Sequence, residues 1–394
     1  MIDDNILEVK IRDLQTKIIS WAQSNNIWDG SCFYSYSEYF DDEPSETDAC
    51  VIVLALDGHF FQMFNILYDQ YTDEFDDIVD ETDFRYEQES SHVLLFYCKD
   101  ECLNKLYLDY FEWKWISELV KPDYTSLYDE FYDYFHKNPD KLYSLEPRKV
   151  EILISEVFKN QGYQTVLGPG TNDGGVDLRL YQKDEIDQIV TLVQIKRYKK
   201  EIPIDLKSVA FLSALVEEEK ANRGLFITTS RYLPQSKSFA ARQKNRLILA
   251  DSINVSEWCE NVKTRIVRDK SKILNSEYIL RLLKHKDGML GQVVVASLGG
   301  NCMKNQFCLI VKDSPFVSLL MKIPGKAVKH HDPPYNFRGN EVPILEEDII
   351  LKCLKKENIF RAKKDISSDK IHFWGDKNLF SIWDGKPVYF DILD

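Results

Sequence analysis

Three polar residues near the middle of the chain have the types and spacing of a metal-assisted hydrolytic site. Asp177 follows a pair of glycines, Gln194 comes 17 residues later, and Lys196 lies two residues beyond it. Residues two apart in a strand point to the same face, so Gln194 and Lys196 meet Asp177 if their strands are neighbours. Carboxylate and amide oxygens suit Mg²⁺. A lysine beside them can orient or deprotonate a water, or offset charge on a phosphate.

A further carboxylate is expected to complete such a site, and the sequence offers several. Glu151 lies beside the apolar stripe of a predicted helix, from where it can reach over the sheet edge toward Asp177. Asp173, in a glycine-rich loop, is a second candidate, and Glu156 is a third with lower weight. The sequence does not decide among them.

The elements around these residues predict an α/β domain with a mixed sheet over residues 145–262. Apolar residues at helical spacing follow Pro147, and a natural C-terminal cap, Gly162, ends this helix. Strands are then predicted to alternate with helices. The predicted strands are 163–167, 176–181, 189–195, 224–229 and 247–250, and the later helices are 206–218, 234–244 and 255–262.

The order of these motifs resembles the catalytic domain of Mrr-type restriction endonucleases, a branch of the PD-(D/E)XK nucleases. The resemblance rests on Asp-Gly-Gly-Val-Asp at 173–177, Gln-Ile-Lys-Arg-Tyr at 194–198 and a strand ending Thr-Thr-Ser at 228–230. It covers under a third of the chain. It implies a restriction-endonuclease-like fold and hydrolysis of DNA with Mg²⁺ or Mn²⁺, often in defence against foreign or modified DNA. The family roles carry over to Asp177, Gln194 and Lys196 and, less securely, to Glu151, with Asp177, Gln194 and Glu151 as metal ligands.

Other residues of these motifs are candidates for contacts with DNA. Asp173, Gly174 and Gly175 form a loop that a phosphate backbone can approach closely. Arg197 and Tyr198 continue past Lys196 and either follow the DNA backbone or form a solvated basic edge. The hydroxyls at the end of the next strand either contact a phosphate or cap the following helix; these are Thr228, Thr229 and Ser230.

Charge is distributed unevenly along the chain. The formal net charge is −14, yet residues 1–140 hold 32 acidic and 9 basic residues, against 32 acidic and 41 basic residues in the remainder. Such asymmetry indicates separate domains with different partners, and the basic remainder can bind a phosphate backbone. The acidic segment reads as an ordinary solvated domain, or as one that imitates DNA charge or covers the basic part.

The flanks predict a three-domain chain. Residues 1–140 read as a mainly α acidic domain, with an apolar run at 50–56 that is either strand or buried helix, an acidic loop or helix face at 73–89, and a long helix from Ser91 through Leu106. Residues 265–394 read as a basic α+β domain, with strands at 291–298, 306–312, 316–323 and 388–393 and helices at 275–284 and 346–356.

Several other classes of protein are disfavoured. No apolar stretch is long enough for a membrane span, the acidic start does not resemble a secretory signal, and the cysteines form no regular framework. A cytoplasmic protein with reduced cysteines fits best. Zinc at Cys98 and Cys102, or a metal at His330-His331-Asp332, is weakly indicated because neither motif has a second ligand pair.

Two functional hypotheses follow. The first is an Mg²⁺-dependent DNA endonuclease that works as a homodimer or larger assembly, because cutting both strands needs two sites; the flanking domains would then sense a target or a phage-derived trigger. The second is a degenerate domain that binds DNA or a phage protein without cutting.

Overall fold

A computed structural model of the chain describes residues 4–40, 49–65, 69–122, 124, 127–170, 174–183, 188–243, 246–265, 274–298, 303–365 and 371–392. Two compact units are present, one of Met1–Trp115 with Arg361–Ser381 and one of Ile116–Phe360 with Ile382–Asp394. None of the helices in the described ranges has the length and apolar character needed to span a membrane.

The first unit begins with a helix, which is followed by strands and further helices. Its first elements are α1 (Asp4–Ser24), β1 (Cys32–Ser35), α2 (Tyr36–Phe40), β2 (Ile52–Ala55), α3 (Gly58–Asn65), α4 (Asp69–Asp80), β3 (Phe84–Ser90), β4 (Val93–Cys98) and α5 (Glu101–Leu119). The four strands form an antiparallel sheet in the order β1-β2-β4-β3. The sequence indicated a mainly α segment over residues 1–140 and did not predict this sheet.

The clearest local error is the helix predicted from Ser91 through Leu106. Residues 93–98 are strand β4, and the helix begins only at Glu101. Leu94 and Phe96 pack in one hydrophobic core. Val93 and the other residues on the opposite face of the strand pack in a second core. A strand that is apolar on both faces loses the polar–apolar alternation that distinguishes a strand from a buried helix.

The second unit contains the predicted α/β domain almost element for element. It comprises α6 (Glu130–Lys137), α7 (Pro147–Asn160), β5 (Gln164–Leu167), β6 (Leu178–Lys183), β7 (Gln188–Lys196), α8 (Leu206–Glu218), β8 (Arg223–Thr228), α9 (Pro234–Arg242), β9 (Leu247–Ala250) and α10 (Ser252–Arg265). Strands β5 to β9 form one sheet in sequence order. The pairs β5–β6 and β6–β7 are antiparallel, and β7–β8 and β8–β9 are parallel, so the sheet is mixed as predicted.

Helix crossovers explain the parallel half of this sheet, because parallel neighbours need a long connection. Helix α8 joins β7 to β8 and begins at a cap in which the Asp205 carboxylate accepts the Ser208 N–H at 2.9 Å. Leu212 and Val209 of α8 pack with Leu192 and Phe226 of the sheet in one buried cluster. The helix thereby holds β7 and β8 in register, with Lys196 opposite Thr228.

Residues 116–140, which the sequence analysis grouped with the acidic segment, lie in the second unit. Helix α6 is held there by α10. The Ser256 hydroxyl donates to the carbonyl of His136 at 2.8 Å, and Lys263 forms an ion pair with Asp133.

The C-terminal part contains strands and helices, as predicted for an α+β segment. Its elements are α11 (Ser276–Lys284), β10 (Val293–Leu298), β11 (Lys304–Asp313), β12 (Val317–Ile323), β13 (Gly325–His330), β14 (Arg338–Pro343), α12 (Glu347–Lys352), β15 (Ile359–Asp365), β16 (His372–Gly375), β17 (Asn378–Ile382) and β18 (Val388–Asp391). In the second unit, β10, β11 and β12 pair antiparallel, and β13, β14 and β18 form a separate antiparallel sheet. Strand β16 and most of β15 and β17 belong to the first unit.

Candidate active site

Asp177 and Gln194 come together at the junction of β6 and β7. Asp177 immediately precedes β6, and its backbone N–H donates to the carbonyl of Val193 at 2.9 Å. Its carboxylate Oδ2 accepts the backbone N–H of Ile195 at 2.6 Å. These two bonds flank Gln194, so the structure brings the predicted carboxylate beside the predicted amide.

Gln194 carries the most informative polar atom of the site. Its side chain is 4 % exposed, and its Oε1 has no hydrogen-bond partner among the described residues. A buried acceptor without a donor costs about 1–3 kcal/mol, so such an atom needs an explanation. Asp177, at 8 % exposed, is a second buried residue with side-chain oxygens, and its Oδ2 lies at the backbone N–H that follows Gln194. This pair of hard oxygens fits a divalent cation such as Mg²⁺.

Lys196 ends β7 two residues after Gln194 and is half-buried. Its carbonyl accepts the Thr228 hydroxyl at 2.9 Å and the Thr229 N–H at 3.3 Å. Thr228, the last residue of β8, and Thr229, which follows it, thus hold the backbone of Lys196 in place. Lys196 and Gln194 are two residues apart in one strand, so their side chains lie on the same face of it.

Glu151 is buried, but its carboxylate is occupied by a neighbour on α7. Arg148 Nη1 donates to Glu151 Oε2 at 2.6 Å and to the carbonyl of Gly168 at 2.9 Å. The N–H of Gly168 in turn donates to the carbonyl of Asp177 at 2.8 Å. Glu151 is therefore linked to Asp177 through Arg148 and the Gly168 turn.

The other candidate acids do not complete the site in the described structure. Glu156 is buried and forms an ion pair with Lys159 at 2.6 Å. Its charge also adds to the burial that raises the pKa of the Tyr132 hydroxyl. Asp173 lies outside the described residues. Within the described ranges, no group of three His, Cys, Asp or Glu side chains is arranged to hold a metal, which applies equally to Cys98–Cys102 and His330–Asp332.

The glycine pair gives the site a close-packed wall that the sequence analysis did not foresee. Gly174 and Gly175 both have positive φ, +65° and +90°, which L side chains rarely adopt. A Cβ on Gly175 would lie 2.7 Å from Cε1 of Phe211 and 3.2 Å from Nε2 of Gln194. Phe211, on α8, is half-exposed although it lies beside the buried amide. Its only sequence signal was an apolar residue on a predicted amphipathic helix.

The Thr-Thr-Ser motif is buried and holds the segment that follows Lys196. The Thr229 hydroxyl donates to the Tyr198 carbonyl at 2.7 Å and accepts the Tyr198 N–H at 3.0 Å. The Ser230 hydroxyl donates to the Ile202 carbonyl at 2.7 Å. These bonds and that of Thr228 give the motif a structural role. The sequence had suggested only phosphate contact or capping of the next helix. Contact of these hydroxyls with a phosphate stays a prediction.

Arg197 and Tyr198 differ in their surroundings. Arg197 Nη1 donates to the carbonyl of Tyr143 at 2.8 Å, and its Nε is buried without a partner among the described residues. The guanidinium is therefore directed toward the 3₁₀ turn at Pro139–Ser144. Tyr198 is exposed and remains available to a ligand.

Comparison with known proteins places the family resemblance on this domain. Residues 142–259 match the family model Mrr_cat, described as a restriction endonuclease. The chain is 29% identical over 139 residues to the type IV methyl-directed restriction enzyme EcoKMrr of Escherichia coli, covering 33% of this chain and 44% of that protein. It is 30% identical over 125 residues to the uncharacterized protein y4cE of Sinorhizobium fredii, covering 32% of each. The chain thus spans less than half the length of either curated relative.

Two solved structures also share part of the chain. The MspJI restriction endonuclease in complex with a 27-mer oligonucleotide matches with a TM-score of 0.27 and 20% identity, covering 32% of this chain and 30% of that one. The DNA modification-dependent restriction endonuclease AspBHI matches with a TM-score of 0.27 and 11% identity, covering 46% and 60%. From the family match and the sequence relatives, residues 142–259 are a restriction-endonuclease-like domain of the Mrr type.

Proposed function

We propose that this protein is a divalent-metal-dependent DNA endonuclease whose active site consists of Asp177, Gln194 and Lys196. The observation that carries the proposal is the buried Oε1 of Gln194, which has no hydrogen-bond partner within the described part of the chain, together with the buried Asp177, whose carboxylate accepts the next backbone N–H, that of Ile195. An oxygen pair of this kind is costly in a protein that has nothing to bind there and useful in one that binds a cation.

Each residue has a part in hydrolysis. Asp177 and Gln194 would hold Mg²⁺ or Mn²⁺, which when bound supplies positive charge at the reacting phosphate. Lys196 orients the attacking water and stabilises the negative charge that develops on the phosphate oxygens. The water oxygen bonds to phosphorus and releases one proton to solvent, the bond from phosphorus to the leaving oxygen breaks, and that oxygen takes one proton from solvent. Glu151 supports the site through Arg148 and Gly168.

The biological setting is proposed from the sequence relatives. The name of the Escherichia coli relative describes a methyl-directed restriction enzyme. We infer that this chain likewise acts on foreign or modified DNA and that it works as a homodimer or larger assembly. One such site cuts one strand, so a symmetric pair is needed for a double-strand break.

The test is incubation of the full-length protein with linear and circular plasmid, methylated and unmethylated, in Mg²⁺ or EDTA. Lys196→Ala is the inactive variant, and Lys286→Ala, which removes an exposed lysine outside residues 142–259, is the matched control. We expect cutting that requires Mg²⁺, disappears in Lys196→Ala and persists in Lys286→Ala. Equal cutting by both variants would remove Lys196 from the mechanism.

A second candidate function is a sensor that binds DNA without cutting it. The observation in its favour is that Glu151, the family's assisting acid, is engaged by Arg148 and that no cluster of three acids occurs in the described ranges. Under this alternative the plasmid stays intact in every condition, while the protein still binds DNA with an affinity that falls steeply with salt.

A further inference from the structure

The strands β13 and β14 form an exposed ribbon in the C-terminal part of the second unit. They pair antiparallel from Gly325 opposite Pro343 to His330 opposite Gly339. β13 is an edge strand of the sheet β13-β14-β18, and all its residues are exposed. Because both faces of β13 are exposed, its side chains do not pack in a core and remain accessible to a ligand.

The tip of the ribbon carries two aromatic rings that lie parallel. Tyr335 and Phe337 have ring centroids 6.2 Å apart and planes 9° apart. Tyr335 is 72 % exposed, and Phe337 is also exposed. Exposing large rings to water is unfavourable unless a partner covers them.

Hydrogen bonds from backbone N–H groups hold the tip in one conformation. The Asp332 carboxylate accepts the N–H of Phe337 at 3.2 Å and the N–H of Arg338 at 2.9 Å. The Ile392 N–H donates to the Phe337 carbonyl at 2.9 Å, which ties the tip to the end of β18. The two rings therefore lie on a turn that these hydrogen bonds hold in place, so little conformational entropy is lost when a ligand binds.

The charges of the ribbon favour a polyanion over a protein strand. β13 contains no acidic residue and two lysines: Lys326 pairs with Glu346 at 3.5 Å, and no described residue forms an ion pair with Lys329. The acidic neighbours are engaged, Asp332 by the backbone bonds above, Asp391 by Arg338 at 2.8 Å and Glu341 by the side-chain amide of Asn305 at 3.0 Å. The register shifts between Ala327 and Lys329, and a bulge with edge lysines opposes the addition of a further strand.

We propose that the β13–β14 ribbon is a DNA-contacting element, with the Tyr335–Phe337 pair stacking on bases or sugars and Lys329 contacting the phosphate backbone. Aromatic rings stack on bases irrespective of sequence, and lysine side chains contact phosphate oxygens. This inference rests on the proposed function, because it gives the same protein a second point of contact with DNA, apart from Asp177, Gln194 and Lys196.

The experiment is fluorescence anisotropy of labelled duplex and single-stranded DNA with the full-length protein in EDTA, where no cutting occurs. The double variant Tyr335→Ala/Phe337→Ala is compared with Phe316→Ala, an exposed phenylalanine beyond the ribbon. We expect Kd to rise at least about 30-fold in the double variant, the change that corresponds to a loss of about 1 kcal/mol of base stacking at each of the two rings. Phe316→Ala should leave Kd unchanged.

Lys329→Ala is a second variant that cannot disturb the tip turn. It should raise Kd and should lower the slope of log Kd against log salt by the amount expected for one lost phosphate contact. Wild-type affinity and salt slope in all ribbon variants would overturn the inference, and so would a change in self-association with no change in DNA affinity.

The two proposals fail in distinguishable ways. Lys196→Ala should lose cutting but keep the wild-type Kd, whereas the ribbon variants should lose affinity and recover cutting at saturating DNA. Cutting by the wild-type protein together with unaltered binding by the ribbon variants rejects the ribbon and leaves the nuclease standing. A protein that neither binds nor cuts DNA rejects both.

Discussion

The carboxylate of Asp177 accepts the backbone N–H of Ile195 at 2.6 Å, which fixes the acid beside Gln194. The bond joins the residue before β6 to the strand that carries the other site residues. A carboxylate held by the backbone keeps its position in the absence of a ligand, so this part of the proposed cation site is preorganised.

Asp177→Asn should separate the charge of this side chain from its structural bond. The amide oxygen of asparagine can still accept the Ile195 N–H, so the free energy of unfolding should change by less than about 1 kcal/mol. Cleavage should fall by at least about 100-fold, since an anionic ligand is lost. Urea unfolding and plasmid cleavage check the two expectations. Full cleavage in Asp177→Asn would argue that the carboxylate binds no cation.

Gln194→Met should abolish cleavage without destabilising the fold. Methionine keeps the side-chain length and removes a buried acceptor that has no partner among the described residues, so stability should hold or rise by about 1 kcal/mol. Gln188→Met, at the exposed start of the same strand, is the matched control and should keep cleavage. A large loss of stability in Gln194→Met alone would mean that the amide oxygen is satisfied in the folded protein.

Glu151→Gln and Arg148→Ala should act as positioning variants. Arg148→Ala breaks the link through Gly168 to Asp177, and Glu151→Gln weakens it by removing the charge that pairs with Arg148; loss of an outer partner typically lowers metal affinity or activity by about 10–100-fold. Mn²⁺ titration calorimetry should therefore show weakened but measurable binding in both variants. Complete loss of binding in Glu151→Gln, matching Asp177→Asn, would instead make Glu151 a direct ligand.

Gly175→Ala should damage the site more than Gly174→Ala does. Both substitutions place a side chain at positive φ, which costs about 1–2 kcal/mol. Only at Gly175 does the new methyl also meet Phe211 and Gln194, whereas at Gly174 no atom of the described residues lies within 4 Å. Cleavage should thus fall further in Gly175→Ala. Adding Phe211→Ala should restore part of it, and equal losses in the two single variants would contradict the packing.

Asp133 should make the second unit more stable at neutral pH than in acid. Burial raises the pKa of this carboxyl, but hydrogen bonds from Lys137 and Lys263 outweigh burial and leave the pKa below its ordinary value. A lowered folded pKa adds stability above the unfolded value, about pH 4, and this stability is lost as the pH falls through the folded pKa. Asp133→Asn should cost about 1 kcal/mol at neutral pH. Urea unfolding should show this difference shrinking in acid, and a constant difference would exclude the linkage.

Local patterns in the sequence determined the elements of the α/β domain and the pairing of its key residues. The helix after Pro147, the helix 206–218 and the strand 247–250 were predicted close to their observed bounds, because each has a clear period and a stop signal. The shared face of Gln194 and Lys196 follows from the geometry of any strand.

Tertiary structure decided what the periodicity of the chain leaves open. Strand β4 is apolar on both faces because two cores cover it, and no local pattern distinguishes such a strand from a helix. The engagement of Glu151 by Arg148, the packing of Phe211 against Gly175 and the bonds from Thr228 to Ser230 depend on distant segments meeting in space. The chain alone names the residues that can do the chemistry, and the fold decides which of them remain available for it.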